Sequence, residues 1–508
     1  MSRLRAEWTK FRTVRGWVLA MVAAAAAIVA LGVMPGMQGT CGSGCGLPVG
    51  PGGEEVSDAF TFVHQPLTGD GSVTARLTSM TGLLPPDPAE EEPAGGPEPA
   101  QAPASGSDGR PGLMPWAKAG LIVKDGTRPG STYAAVMLTG GHGVRLQYDF
   151  THDVAGPATT ATPQWLRLTR TGQTILAEAS PDGVTWQRVG SAELEGLPDT
   201  VEIGLFATSP QYSAMTSDAF GLAGATGGPT QATGVFDEVA VQGQAGGTWL
   251  PDKVGGVDNA QGIQVGGAST TDGKVTVSGS GDIAPAVAGA SGLGVTVTQT
   301  LVGTFAGLIA VVVVGAMFVT AEYRRGFMRT TLSANPGRGR MLAAKAVVLG
   351  GVTFVAGLVA AAVVVVFGQK MLRANGVYVH AASWETQARM VVGTAAVLAV
   401  AAVLALALGV VVRRSAAAVT TAVVVIVLPY LLTMTVLPAG AGQWLLRVTP
   451  AAAFAMQQSS MQYAQVDNLY IPVHGYFPLT PWGGFAVLCG WTAIALTAAH
   501  VLMRRRDV

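Results

Sequence analysis

Six stretches of this chain run without a single Asp, Glu, Lys or Arg for long enough to cross a membrane. They are Trp17–Met34, Gly292–Ala321, Ala346–Gly368, Met390–Val412, Ser415–Leu437 and Gly483–Met503. About 20 apolar residues span the hydrocarbon core, and a chain inside it must satisfy its own backbone hydrogen bonds, which leaves helices or a closed barrel. Buried helices of soluble proteins rarely go so far without charge. The fold class expected is therefore a polytopic α-helical membrane protein with six transmembrane helices. Composition agrees: only 12% of the 508 residues are charged, against roughly 25% in soluble domains. A secretory signal would have a shorter apolar stretch and a small-residue cleavage site. The first run ends in Pro35-Gly36 and is read as a retained helix, the alternative being a cleaved signal of unusual form.

Lys and Arg in short connections set orientation. With the N-terminus inside, the inner segments 1–16, 321–345, 413–414 and 504–508 hold sixteen of the 31 basic residues and only three acids, Glu7, Glu322 and Asp507. Both termini are thus expected in the cytoplasm of a multi-pass plasma-membrane protein, and the long insertion after the first helix outside. The expected plan is a cytoplasmic amphipathic helix over 1–16, spans over 17–34, 296–320, 346–368, 390–412, 416–437 and 483–503, and inner segments over 321–345, 413–415 and 504–508. External segments are expected over 369–389 and 438–482.

The insertion changes pattern. After a Gly/Pro linker over 35–54, period-2 segments mark half-buried strands: Ser72–Thr78, Ala119–Lys124, Tyr133–Leu138, Val144–Tyr148, Trp165–Thr169 and Val201–Phe206. Turn residues separate them at β-sandwich intervals. In Ser180–Trp186, Asp182-Gly183 suits the positive φ that tight hairpin turns need. An extracellular all-β sandwich is expected over 55–243, with a Pro/Glu/Ala-rich insert over 84–112 too poor in apolar residues to pack. A Gly-rich tether with some strand follows over 244–295. Cys41 and Cys45 lie outside in this plan, where an oxidising milieu permits a disulfide, although their spacing closes a short loop. The ordered strands resemble the concanavalin-like (laminin-G-like) family, on Trp116–Lys124, Trp165–Arg170, Ser180–Trp186, Gly204–Phe206 and Phe236–Val239. Trp116, Trp165 and Trp186 could stack on sugar rings, or could fill the sandwich core.

No catalytic or metal constellation emerges. The six His are scattered without His-x3-His spacing, and no G-x-S-x-G elbow stands at a strand–helix turn. Ala268–Val275 lacks the first Gly of a phosphate loop. An equal balance of acidic and basic residues gives no reason to expect nucleic acid. The spans carry no charged relay of the kind ion-coupled transporters keep in the bilayer, so a membrane machine of this type would need its free energy from elsewhere.

The informative segment is the inner loop Glu322-Tyr323-Arg324-Arg325-Gly326, with Arg329 and Asn335-Pro336-Gly337 beyond it. Gly326 and Asn335–Gly337 are breaks that would bracket a short helix; the blander reading is a positively charged anchor. Together with Glu7–Arg12 running into the first helix, and Arg338, Arg340 and Lys345 opening the third, this loop makes the chain resemble the permease subunit of a type-2 ABC exporter. The resemblance implies a partner ATPase subunit, in two copies, that binds ATP and Mg²⁺, this chain holding no cofactor. It also implies a second permease half, identical or homologous, and an N-terminal helix along the inner leaflet. By the same resemblance Glu322, Tyr323, Arg324, Arg325, Gly326 and Arg329 would contact the ATPase, and the substrate stays open. The alternative is a membrane-anchored glycan-binding or adhesion protein, for which six spans are more anchor than one irreversible helix already provides.

Overall fold

The computed structural model describes residues 2–34, 46–86, 109–217, 223–255, 266–289, 294–324, 337–435, 437, 439–468 and 470–505. A helical bundle carries a large β domain at one end, here the sandwich end. Among the described residues, six helices are long and apolar enough to cross a membrane.

The helices follow the charge-free runs but overshoot them. An N-terminal helix α1 (Ser2–Thr13) is separated by the extended residue Val14 from α2 (Arg15–Val33). Then come α3 (Thr304–Arg324) and α4 (Arg338–Val363), which continues through a π turn (Val364–Gly368) to Ala374. Helix α5 (Trp384–Val412) begins where the Ser383 hydroxyl accepts from the Thr386 N–H and ends on Arg413 at φ 63°. Helix α6 (Ser415–Ile426) breaks at Val427 before α7 (Leu428–Thr435), because Pro429 has no N–H to give the carbonyl of Val425. Residues 438–482, expected as an external segment, begin with a helix α8 (Ala439–Val448) and a 3₁₀ segment (Pro450–Gln457). All eight residues of that segment are buried, against α5 and the last helix α9 (Pro481–Arg505). Glycine permits the close approach: a methyl group on Gly484 would stand 2.1 Å from the Ala452 carbonyl oxygen. Trp384 and Trp482 are exposed at helix starts on the sandwich end, whereas Arg414, Arg504 and Arg505 are exposed at the far end. Aromatic residues at a membrane boundary and cations at helix ends are the pattern of spanning bundles.

The β domain is a nearly closed sandwich built around one bent strand. Strand β1 is Val56–Asp58 and β2 is Phe60–Leu84. The first part of β2, Thr61–Thr68, pairs with β10 (Thr200–Thr208); beyond a bend, Gly71–Leu77 pairs with β7 (Gln164–Thr171). One layer continues through β3 (Lys118–Lys124), β4 (Tyr133–Thr139), β5 (Val144–Tyr148) and β6 (His152–Ala155). The other continues through β8 (Thr174–Ser180) and β9 (Gln187–Glu193). Val73, Leu77, Leu121, Val136, Leu166, Leu168 and Phe236 meet between the layers, each worth about 1.5–3 kcal/mol of burial. The sheet is wider than the sequence suggested. Strands β11 (Gln231–Ala245), β12 (Leu250–Val254), β13 (Gly266–Thr271) and β14 (Lys274–Gly279) join it, so the 244–295 tether supplies three strands. Residues 87–108 of the Pro-rich insert lie outside the described residues, as do Cys41 and Cys45.

Every residue of β3 and β4 is buried, because the layer they belong to is covered on both faces. Its outer face packs Phe62, Ile122, Tyr133, Met137 and Phe206 under a collar that includes Val56, Val254 and Ile283. In the collar β1 pairs with β15 (Ile283–Pro285), bringing together the chain entering the sandwich and the chain leaving it. Two buried lysines on β3 hold these passages. Lys124 donates to Asp58 at 2.8 Å and Lys118 to Asp282 at 2.5 Å. The connector before α9 closes the collar: Gln465 donates to the Thr151 carbonyl and Asn468 to that of Ala288. Glu55 accepts from the Ala381 N–H between α4 and α5 and lies 3.0 Å from His380.

Candidate functional site

Among the described residues, the densest charged cluster of the helical bundle lies at its far end, away from the sandwich. Three elements meet there. Helix α1 turns Glu7 and Phe11 inward, α3 brings Phe318 and Glu322, and α4 brings Lys345. Lys345 is wholly buried, and its ammonium sits 2.8 Å from one oxygen of Glu7 and 2.7 Å from one of Glu322. Lys10 closes the cluster at 3.2 Å from Glu7 and 3.4 Å from Glu322. Two acids and two lysines make a neutral clasp. Neutrality matters, because a buried charge is tolerable only when paired and hydrogen-bonded.

Apolar contacts hold the clasp in register. The Phe318 ring lies 4.9 Å below the Lys345 ammonium and meets Phe11 and Trp17 edge-on at 5.8 and 6.0 Å. Burial lowers the Lys10 ammonium pKa, but Glu322 and Glu7 more than reverse this and hold it above its ordinary value. Around the clasp, the Arg413 guanidinium stands 5.3 Å over the Tyr323 ring, tying the α5–α6 turn to α3. Arg338 donates to the carbonyl of Met503, tying the start of α4 to the end of α9.

The residues singled out in the sequence fall as follows. Glu322 is inside the clasp, half-shielded rather than displayed, and Tyr323 is half-buried under Arg413. Arg324 is the last residue of α3; Arg325, Gly326 and Arg329 lie outside the described residues. Sequence reasoning did not select Glu7, Lys10 and Lys345 as site residues. A signal was there: two of the three acids in the basic inner segments are the two that share Lys345.

The three tryptophans separate. Trp116 is buried, stacked 4.1 Å from His142 with Arg145 over its ring. Trp165 and Trp186 are half-buried on the outer face of the second layer, where Arg76 lies 5.6 Å over Trp165 and Arg167 lies 4.0 Å over Trp186. Both arginines are themselves paired, Arg76 with Asp237 and Arg167 with Glu178. The face is thus a self-neutralised ladder of rings and ion pairs.

Comparison with known proteins bears on the bundle. The family described as "ABC-2 family transporter protein" matches residues 194–508, from the last third of the sandwich through every helix after α2. No curated protein matches the chain. Three solved structures share low similarity. A mutant of the GH43 protein BlXynB from Bacillus licheniformis is 16% identical, covering 27% of this chain and 24% of that one, with a TM-score of 0.18. A functionally unknown protein from Saccharomyces cerevisiae is 16% identical over 36% of this chain and 75% of that one, also at 0.18. SCP-B, a member of the Eqolisin family of peptidases in complex with a tripeptide, is 10% identical over 44% of this chain and 98% of that one, at 0.23. The chain spans about a quarter of the first of these, and TM-scores this low carry no argument about fold or chemistry. The family match covers more than half of the sequence, and on it the chain belongs to the ABC-2 transporter family, as a multi-pass membrane permease of an ABC transporter.

Proposed function

We propose that this permease exports its substrate using a separate ATP-binding cassette subunit docked at the far end of the bundle, in the cytoplasm. The observation that carries the reading is the clasp. Segment 325–336 leaves α3 three residues after Glu322, and α4 begins seven residues before Lys345. A push on that segment reaches the roots of α1, α3 and α4 together, because one buried ammonium joins them. ATPase closure would then rock the helices as a unit, with Arg324, Arg325, Gly326 and Arg329 forming the contact surface and Glu322 and Tyr323 the joint behind it. Two copies of the ATPase and a second permease half complete the machine.

The sandwich is then external and belongs to the exit path. Its support is the collar: a domain tied to the α4–α5 connector through Glu55 and to the connector before α9 through the Ala288 carbonyl is placed to follow helix motion. An adhesion module would gain nothing from that clamp, and the Arg-covered rings of Trp165 and Trp186 give the glycan-binding alternative little open platform.

Charge reversal at Arg324→Glu with Arg325→Glu tests this. Co-purification with the cognate ATPase and stimulation of its hydrolysis should be lost while the chain still inserts and keeps its thermal stability. Unchanged coupling would remove the 325–336 segment from the mechanism.

A further inference from the structure

Helix α1 has a second face that the clasp does not use. Leu4 and Trp8 are 43% and 47% exposed, one helical turn apart, and Arg5 and Arg12 are exposed beside them. At 100° per residue these four side chains fall within about 100° of one another on the helix. Arg15, just past the Val14 turn, is exposed as well. Among the described residues no carboxylate pairs with Arg5, Arg12 or Arg15; both acids near this helix, Glu7 and Glu322, are turned into the clasp. Glu7 and Phe11 turn inward, the arginines turn outward with a tryptophan and a leucine, and Lys10 reaches into the clasp from the edge between them.

We propose that the outward face of α1 binds anionic lipid headgroups, and that the clasp carries the occupancy of this face to the roots of α3 and α4. The chemistry favours a bilayer surface over any soluble partner. Residue Val14 alone separates α1 from the first membrane-spanning helix, so α1 must sit at headgroup depth. An interfacial helix wants an apolar edge for the acyl boundary and cations for the phosphates, and Leu4–Trp8 beside Arg5–Arg12 supplies both. Guanidinium groups take phosphate oxygens in bidentate geometry and stay charged. Because Glu7 and Lys10 belong to the same helix and point away from this face, a shift of α1 toward or away from the bilayer displaces two of the four clasp partners. Leaflet charge thereby sets how firmly Lys345 ties α1 to α3 and α4. The headgroup site stands independently of the transport reading; only its consequence for segment 325–336 rests on it.

The test is hydrogen exchange on the full chain in nanodiscs of phosphatidylcholine, alone or with about 30% phosphatidylglycerol. Amide exchange over 2–13 should slow about tenfold with the anionic lipid, and each arginine removed should cost roughly five-fold of the attraction. The variant Arg5→Gln/Arg12→Gln/Arg15→Gln should lose the slowing, as should added salt, which screens exposed charge. A second variant, Lys345→Met, should keep the slowing over 2–13 but abolish the lipid-dependent change over 338–345. Exchange over 2–13 that ignores phosphatidylglycerol, or slowing that the arginine variant retains, overturns the site. Equal slowing by inorganic phosphate in pure phosphatidylcholine overturns the bilayer as its ligand. A lipid response over 338–345 that survives Lys345→Met overturns the link through the clasp. None of these readouts needs the ATPase, so failure here and failure of the transport reading are separable.

Discussion

Removing Lys124 should unseat the sandwich from its collar. Its side chain is wholly buried, donating to Asp58 at 2.8 Å and to the Ser131 carbonyl at 2.9 Å, with the rings of Phe150 and Tyr133 within 6 Å. Burial pushes the Asp58 carboxyl up and the Lys124 ammonium down, each further than their mutual attraction draws it back. In Lys124→Met the Asp58 carboxylate would keep one donor, the Gly130 N–H at 2.7 Å, while its other oxygen is buried without a partner. Breaking one side of a buried pair costs about 3–5 kcal/mol, whereas replacing both partners with apolar groups is near neutral or stabilising. At about 2–4 °C per kcal/mol for a domain of this size, the single variant should lose roughly 6–20 °C in melting temperature. The double variant Lys124→Met/Asp58→Leu should recover most of it. Scanning calorimetry of the full chain in detergent reads both. A single variant that melts with the parent, or a double variant as impaired as the single, would refute the reasoning, because either outcome means that no uncompensated charge was created.

Two further perturbations probe other parts of the fold. Gly183→Ala should destabilise the sandwich by more than about 1 kcal/mol, since φ is 75° there and a methyl group would stand 2.8 Å from the Trp165 ring; urea titration followed by tryptophan fluorescence would show an unshifted midpoint if the turn were tolerant. For Glu55, burial raises the carboxyl pKa, but hydrogen bonds from His380, Tyr378 and the Ala381 N–H outweigh it and hold the group below the ordinary value. A depressed carboxyl contributes stability above its unfolded pKa, about 4.3, and loses that contribution as pH falls through the folded value. Melting temperature should therefore drop on acidification below about pH 4, and Glu55→Gln should flatten that part of the profile; an identical acid limb in the variant would dismiss the group.

The parts of this architecture that could be read in the sequence are those whose environment imposes a rule on consecutive residues. Hydrocarbon excludes charge, so α5 and α9 announce themselves, and a half-buried sheet alternates, so Trp165–Thr169 does too. Strand β3 breaks that rule: Lys118 and Lys124 look like its solvated ends, yet both are buried, because Asp282 and Asp58 arrive from more than 60 residues away. The clasp was half-visible for the same reason. Glu322 stood out among basic neighbours, but its pairing with Lys345 and Glu7 is a tertiary fact that spacing along the chain does not encode. The helical turns within residues 438–482 were not legible because Ala439–Gln457 is short and interrupted by Pro450; the burial of Pro450–Gln457 rests on Gly484 admitting it against α9.

The pairing of β1 with β15 has a consequence for how such a permease is assembled. Across an antiparallel pair the two chains are about 5 Å apart, so more than two hundred residues depart from and rejoin the helices at practically one point. To α2 and α3 the sandwich is topologically equivalent to a hairpin turn. A module with adjoining ends can be grafted onto, or excised from, a six-helix ancestor without altering how far apart those two helices must stand.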